Sequence, residues 1–350
     1  MKVVLSLPGG GVSGALYQIG AVAALEDALG SMARVEGYVG HAGGSILAAA
    51  LAGGVAPTRL YRAVLDPADP YFPLERHHVL ALDIAEWRQL AVRAWSSFRH
   101  ALPRLDPRKP VALGVMDRIL EEMDRLEDSL PAGVFTLDRF EPFLLEFFTK
   151  REIPNVFTET RKPLRVVAYE LDTARRVVFG KDAPRTPISL ACAASCALPL
   201  FFSPVRIGDR YYVDGGLSSM THFDVAKDLG ADLTIVINPR VPVETQGRVV
   251  PTGHGRGVSV RDKGALWIYN QARRIANQEM LDKEMASAPA GMKVVRIEPN
   301  RGDAALFLQN PRSFDSRRIV LEHAFKSTRD ALREWAKDHA ETAEKLSMKG

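Results

Sequence analysis

Cysteine is almost absent from this sequence, and so is any long apolar run. The two cysteines, Cys192 and Cys196, lie four positions apart in one apolar stretch. A bridge between them would close a very short loop and constrain little. We interpret both as small buried packing residues, which excludes a disulfide-stapled secreted scaffold. No stretch approaches the ~20 apolar residues that a membrane-spanning helix requires.

We expect no targeting segment at the N-terminus. Residues 2–7 contain one lysine and a short apolar stretch that runs directly into glycines. A signal peptide would need an apolar region of about 7–15 residues. We interpret this segment as a first β-strand, and we predict a cytoplasmic protein that touches membranes, if at all, at their surface.

Charge of one sign is not in large excess. The chain has 46 Lys and Arg against 42 Asp and Glu, a formal net charge of +4. Such a balance fits an ordinary solvated surface and also attraction to anionic lipid, and charge alone does not decide between them. No basic and aromatic cluster indicates a nucleic-acid partner. Scattered histidines and the lack of an Asp-x-Asp loop predict no metal site, and we expect no cofactor.

Strand and helix patterns alternate along the first 60 residues. An apolar strand over residues 2–7 precedes a glycine-rich turn and a helix over about 14–29, and a second strand ends near Val39. A further glycine turn and an Ala-rich helix over 45–52 follow. Later strands are predicted at 164–169, 176–179, 211–213, 233–237 and 294–297. This order is typical of an α/β protein with a mostly parallel sheet.

One domain over residues 1–350 accounts for these patterns. Its core would comprise about 1–60 and 160–300, with a helical insertion or lid over about 65–155 and a C-terminal helical segment over about 313–345. Within the insertion, Trp87, Trp95 and Phe98 share one face of a predicted helix whose other face is rich in arginine. This pattern describes a lid that contacts membranes, and it equally describes a helix packed on the core.

The segment after the second strand has the pattern of a nucleophile elbow. An elbow is a strained turn from strand to helix, with small residues two before and two after the nucleophile. Gly40 and Gly44 supply those small residues and place Ala42 where a serine is expected. A frame centred on Ser45 would put Leu47 at a position where bulk clashes, so we interpret Ser45 as a residue of the first helical turn.

Two other segments fit acyl-transfer chemistry. Gly9, Gly10 and Gly11 follow the first strand and would let backbone N–H groups stabilise an oxyanion, with Gly43 as a further donor. Dinucleotide binding is disfavoured because the full Gly-x-Gly-x-x-Gly spacing is absent. Asp214 ends another predicted strand before two glycines. Its carboxylate is therefore a candidate base.

Together these segments resemble the patatin-like phospholipase family, whose pattern combines a glycine-rich loop, a Gly-x-Ser-x-Gly elbow and an Asp-Gly-Gly or Asp-Gly-Ala segment. The stretch 194–202 is also similar to the family. The resemblance implies a three-layer α/β/α fold and a serine acyl hydrolase acting on lipid or other acyl esters. It also implies a Ser–Asp dyad with Asp214 as base, and an oxyanion hole from Gly9, Gly10, Gly11 and Gly43.

Ala42 departs from the family pattern because it removes the nucleophile. The chain as written is therefore expected to be inactive. A designed Ser-to-Ala replacement is favoured by the otherwise complete elbow, and a natural lipid-binding pseudoenzyme is the alternative. A transacylase on the same framework also stays open. The Asp214 segment argues against acyl-carrier-protein acyltransferases, which share the Gly-His-Ser-x-Gly elbow but use a histidine base.

Overall fold

The structure is a computed structural model that describes residues 1–66, 69, 81–82, 88, 131–181, 186–244, 259–300 and 314–346. Its strands are Val3–Leu7 (β1), Val35–Gly40 (β2), Ala81–Leu82 (β3), Gly133–Thr136 (β4), Leu164–Glu170 (β5), Arg175–Phe179 (β6), Leu200–Phe202 (β7), Val205–Ile207 (β8), Arg210–Asp214 (β9), Leu233–Ile237 (β10) and Lys293–Ile297 (β11). Its α-helices are Gly11–Leu29 (α1), Gly43–Ala52 (α2), Pro57–Leu65 (α3), Phe140–Thr149 (α4), Ile188–Ser195 (α5), Phe223–Asp228 (α6), Ala265–Ala286 (α7), Phe314–Asp338 (α8) and Ala340–Lys345 (α9).

The main sheet has the strand order β11-β10-β1-β2-β5-β9-β8, with β6 paired to β5. Four neighbouring pairs are parallel: β11 with β10, β10 with β1, β1 with β2, and β2 with β5. Three pairs are antiparallel: β5 with β9, β8 with β9, and β6 with β5. The carboxyl ends of β10, β1 and β2 therefore meet at one edge of the sheet, which is where sites form in parallel sheets.

Helices cover both faces of this sheet. Val3, Leu5 and Leu7 pack in one cluster with side chains of α1 and α8. Val4 and Val167 point the other way and pack with α6. The strands read as continuous apolar runs because side chains on both faces are buried. The result is a three-layer α/β/α arrangement, as expected for the fold class.

The central helix α1 is held closely against the C-terminal helix α8. A Cβ added to Gly20 would lie 2.4 Å from the carbonyl oxygen of Leu321 and 2.8 Å from the Cβ of Ala324. Only glycine permits this approach of two backbones. The packing fixes α1, and with it the glycine-rich loop at its N-terminus.

The sequence-based strands and helices of the core are confirmed by the structure. Both cysteines are unbridged, and Ser45 lies in the first turn of α2. Val243 is buried, and Val260–Lys263 forms a 3-10 helix. Trp87, Trp95 and Phe98 lie outside the described residues, so the lid stays a prediction.

The division into a core, an insertion and a C-terminal segment also stays a prediction. None of the described helices is both long enough and apolar enough to cross a bilayer.

Candidate active site

Residue 42 occupies a strained turn between β2 and α2. The backbone of Ala42 has φ 46° and ψ −136°, a conformation that residues with a side chain rarely adopt. Such strain is of order 1–3 kcal/mol and persists only where the surroundings impose it. Strand β2 ends at Gly40 and α2 begins at Gly43, so the turn is as sharp as an elbow requires.

The two bracketing glycines have no room for a side chain. A Cβ on Gly40 would lie 2.7 Å from the Cα of Ser45, and a Cβ on Gly44 would lie 2.0 Å from the carbonyl oxygen of Leu7. Both contacts are with backbone, which cannot easily move aside. At both positions, therefore, only a residue without a side chain fits.

Hydrogen bonds hold the elbow in its strained form. The amide of Ala42 donates to Oγ of Ser195 at 2.8 Å, and Oγ of Ser195 donates to the carbonyl oxygen of Val167 at 2.5 Å. The carbonyl oxygen of Ala42 accepts from Oγ of Ser45 at 2.6 Å and from the Ser45 amide at 3.0 Å. Ser195 is fully buried and ties the elbow to β5.

The N-termini of two helices meet beside residue 42. A Cβ on Gly43, the first residue of α2, would lie 3.6 Å from the carbonyl oxygen and 4.0 Å from the amide nitrogen of Gly11, the first residue of α1. A Cβ on Gly9 would lie 2.4 Å from the Cβ of Ala42. The Ala42 side chain thus lies against the glycine-rich loop, where the positive N-terminal ends of two helices favour negative charge.

Asp214 ends β9 as a buried carboxylate. Its side chain is 5% exposed, and its Oδ1 accepts a hydrogen bond from the amide of Gly216 at 2.7 Å. Burial raises the pKa of Asp214, although the Gly216 amide and the charges of Arg273 and Arg240 act in the opposite direction. A raised pKa makes the carboxylate a better proton acceptor.

The Asp214 turn packs directly on the elbow. A Cβ on Gly215 would lie 2.7 Å from the Cβ of His41, and a Cβ on Gly216 would lie 2.7 Å from Nε2 of His41 and 3.1 Å from Oδ1 of Asp214. His41 precedes residue 42, so the structure brings the candidate base alongside the nucleophile position. Both glycines are required, because the Val167 carbonyl and His41 fill the space beside Gly215 and His41 fills the space beside Gly216.

His41 is buried and uncharged, and its side chain lies between the turn at residue 42 and the turn that follows Asp214. Its ring contacts the ring of His222 edge-to-face, with centroids 5.2 Å apart. Burial, followed by the charges of Arg240 and Arg273, lowers the pKa of His41 to about 3. A neutral ring with this environment does not serve as a base near neutral pH, which agrees with Asp214 as the candidate base.

Sequence reasoning missed Ser195, which bonds to the turn, and also Arg240 and Arg273, whose charges influence Asp214 and His41. Ser195 lies in a helix with no local signal that its hydroxyl reaches the elbow. Arg240 carried a usable signal because it follows the buried strand β10 at the carboxyl edge of the sheet, where binding residues collect. Over the described ranges, no three His, Cys, Asp or Glu side chains are grouped as metal ligands.

The fold and this geometry define an α/β protein with a sharp strand-to-helix turn at position 42 beside a glycine-rich loop. The sequence model of the family described as patatin-like phospholipase matches residues 5–227. This match spans well over half of the chain and includes the glycine-rich loop, the elbow and Asp214. The chain belongs to the patatin-like phospholipase family.

The solved structures that this chain resembles include those of VipD and ExoU. VipD from Legionella pneumophila is 14% identical with a TM-score of 0.43, and the match covers 95% of this chain and 67% of VipD. The type III effector protein ExoU is 16% identical with a TM-score of 0.37, covering 95% of this chain and 53% of ExoU. The structure of ExoU in complex with SpcU from Pseudomonas aeruginosa is 17% identical with a TM-score of 0.31. The match covers 96% of this chain and 61% of that structure's chain. This chain is shorter than each of them.

Proposed function

We propose that this protein carries the framework of a serine acyl hydrolase of the phospholipase A, lysophospholipase or esterase type, with the nucleophile replaced by Ala42. The observation that carries the proposal is the convergence of three parts on one strained residue. The N-termini of α1 and α2 and the buried Asp214 all lie against the turn at position 42. A lipid hydrolase activity is what membership of the family implies.

With serine at position 42, the reaction would run through a Ser–Asp dyad. Asp214 would accept the hydroxyl proton as the serine oxygen attacks the ester carbonyl. Backbone amides of Gly9, Gly10, Gly11 and Gly43 would stabilise the negative charge on the carbonyl oxygen, each donor contributing about 3–4 kcal/mol. The proton would pass from Asp214 to the departing alcohol, and water activated by Asp214 would then release the acid.

With alanine at position 42, the first step cannot occur, because no serine oxygen is present to attack the ester carbonyl. Removing a nucleophilic serine lowers turnover by about 10⁶-fold, which leaves only what binding and the oxyanion hole supply. The chain as written would therefore bind acyl esters without cleaving them at a useful rate. This property is shared by a designed inactive variant and a natural lipid-binding pseudoenzyme.

The test is hydrolysis of p-nitrophenyl esters of graded acyl length by the Ala42→Ser variant. We expect activity in this variant, none in the unmodified chain, and a loss of about 10⁴-fold when Asp214→Asn is added. Ala48→Ser, which places a hydroxyl elsewhere in α2, is the matched control and should stay inactive.

A folded Ala42→Ser variant that is inactive on esters and phospholipids would refute the hydrolase proposal and favour a pseudoenzyme. Acyl transfer to an added alcohol at the expense of hydrolysis would instead identify a transacylase.

A further inference from the structure

A glutamine side chain lies behind the glycine-rich loop, in the interior of the protein. Gln18 belongs to α1 and is fully buried. Its side-chain amide donates to the carbonyl oxygen of Pro8 at 2.5 Å and to the carbonyl oxygen of Ile237 at 3.1 Å. One buried amide group therefore joins the carboxyl ends of β1 and β10 to the helix that follows β1.

The two acceptors determine which kind of residue can occupy position 18. Both are carbonyl oxygens, so the side chain must donate twice, and the NH₂ group of glutamine has two hydrogens to donate. A hydroxyl would donate only once, and a buried lysine would carry an uncompensated charge. The acceptor end of the same side chain, Oε1, has no hydrogen-bond partner among the described residues. Such a buried acceptor costs about 1–3 kcal/mol, so the two donated bonds are what this glutamine contributes.

The first bond fixes the peptide group that enters the glycine-rich loop. The peptide bond between Pro8 and Gly9 is trans, which places its carbonyl oxygen and its N–H on opposite sides. Since Gln18 holds the Pro8 carbonyl, it also sets the direction of the Gly9 amide. Gly9 lies against the nucleophile position, because a Cβ on it would be 2.4 Å from the Cβ of Ala42 and 3.3 Å from the carbonyl oxygen of His41.

The second bond fixes the other wall of the loop. Ile237 is the last residue of β10, and Pro239 follows it by two positions. A Cβ on Gly10 would lie 2.6 Å from Cγ of Pro239, and a Cβ on Gly14 would lie 3.0 Å from the same atom. By holding the end of β10, Gln18 keeps Pro239 packed on the residues that begin α1.

Three successive glycines need support from outside the loop. Gly11 has φ 63°, a conformation that glycine reaches freely, and fixing glycine in one conformation costs more backbone entropy than fixing any other residue. Gly10, which precedes α1, has no side chain with which to cap the helix. Hydrogen bonds to the backbone on either side of the loop can supply that support, and the two bonds of Gln18 do so.

We propose that Gln18 is a positioning residue of the active site, which holds the glycine-rich loop in the conformation that presents its backbone amides to the oxyanion. This inference rests on the proposed function, because it concerns the same oxyanion hole. The stabilising interaction develops only as charge appears on the ester carbonyl oxygen. Loss of Gln18 should therefore slow the chemical step and leave substrate binding nearly unchanged.

Gln18→Met tests this role, because it removes both donors and keeps a long, unbranched side chain. In the Ala42→Ser background we expect kcat for p-nitrophenyl esters to fall by about 10²-fold, with KM changed by less than about threefold. Tyr17→Phe is the matched control, since Tyr17 is the neighbouring buried residue of α1 and its hydroxyl interacts with Ser327 and Thr328 of α8. The control should lower Tm without this fall in kcat. Equal falls in kcat in the two variants, or a rise in KM alone, would overturn the positioning role.

A second measurement needs no activity and uses the chain with Ala42 in place, labelled isotopically at glycine. NMR relaxation reports the order of the amides of residues 9–11, and a rigid backbone has an order parameter of about 0.85. We expect values below about 0.6 for these amides in Gln18→Met and unchanged values in Tyr17→Phe. A loop that stays rigid in Gln18→Met would overturn the inference whether or not Ala42→Ser is active. A loosened loop together with an inactive Ala42→Ser variant would support Gln18 as the support of the loop and refute the hydrolase proposal alone.

Gln18→Glu separates hydrogen bonding from packing. A buried, protonated carboxyl can donate one bond to the Pro8 carbonyl, whereas the ionised form repels both carbonyl oxygens. In the Ala42→Ser background we expect partial recovery of kcat relative to Gln18→Met at low pH, and loss of that recovery as pH rises. Thermal unfolding at each pH reports whether the variant is folded. A pH profile of kcat that parallels the Gln18→Met profile would contradict the role of the donated bonds.

Discussion

The hydroxyl of Ser195 accepts a hydrogen bond from the amide of Ala42 at 2.8 Å, across 153 positions of sequence. The same hydroxyl donates to the carbonyl oxygen of Val167 on β5. One fully buried side chain therefore satisfies the elbow amide and links it to the strand that pairs with the Asp214 strand. This bond is a tertiary support for a conformation that the local sequence disfavours.

Ser195→Ala should loosen the elbow. The change leaves the Ala42 amide and the Val167 carbonyl without this partner, at a cost of about 1–3 kcal/mol in unfolding free energy. In the Ala42→Ser background we also expect kcat/KM for p-nitrophenyl esters to fall, because residue 42 is no longer held in place. Denaturant unfolding and ester kinetics measure the two effects.

Ser189→Ala is the control for this prediction. Ser189 is also buried in α5, and its hydroxyl is bonded to Glu141 and Asn155 away from the elbow. Its loss should destabilise the fold without changing kcat/KM. Equal effects of the two variants on kcat/KM would show that Ser195 has no special role in positioning the elbow.

Asp214→Asn should stabilise the protein at neutral pH. Burial raises the pKa of Asp214, so the folded state favours the protonated carboxyl. That contribution is complete below the unfolded pKa of about 3.9 and is lost as pH rises through the raised folded value. Asparagine stays neutral and keeps an oxygen for the Gly216 amide. We therefore expect a higher Tm for the variant at neutral pH, with the difference vanishing near about pH 3.

Asp224→Asn should behave in the opposite way. Burial acts to raise the pKa of Asp224, but the hydrogen bond and charge of Arg176 outweigh it and lower the pKa. This carboxylate stabilises the fold above its unfolded pKa and loses that effect as pH falls. Its replacement should lower Tm at neutral pH. Shifts of the same sign in the two variants would contradict the environment assigned to Asp214.

The buried histidines predict acid sensitivity. Burial and nearby positive charge lower the pKa of His41 to about 3. The unfolded chain, with a histidine pKa of about 6.5, binds one more proton between these values. Stability from the neutral ring is thus present above about pH 6.5 and is lost as pH falls, by up to about 1.4 kcal/mol per pH unit.

Replacing His41 with Gln should reduce this slope in unfolding experiments between about pH 6 and 4. His339→Gln is the control, because His339 is exposed beside α9 and should leave the slope as it is. A slope that responds equally to both changes would mean that His41 takes up protons in the folded state.

The neighbouring glycines of α2 should differ sharply in tolerance. Gly44→Ala would place a Cβ 2.0 Å from the carbonyl oxygen of Leu7, which forces backbone to move. We expect a loss of about 3 kcal/mol in unfolding free energy. Gly43→Ala meets nothing closer than 3.6 Å and should change stability by less than about 1 kcal/mol. Similar stability losses in both variants would show that the elbow is packed differently.

Much of the fold could be predicted from the sequence because its signals are local. Continuous apolar strands, glycine turns and Ala-rich helices identified the α/β class and the bounds of the core elements to within a few residues. The elbow pattern could also be predicted from the sequence, because the need for small residues at Gly40 and Gly44 arises within one short segment of the chain. Asp214 followed from its strand end and the two glycines after it.

The sequence by itself thus determined the class, the elbow and the absence of a hydroxyl at position 42. Only the tertiary structure decided what surrounds that position. Ser195 bonds to the turn from α5, and the charges of Arg240 after β10 and of Arg273 on α7 influence Asp214 and His41. No local pattern connects these three residues. Strand order and helix packing bring them together, and these depend on contacts between segments more than 100 residues apart, such as the bond from Ala42 to Ser195 across 153 positions.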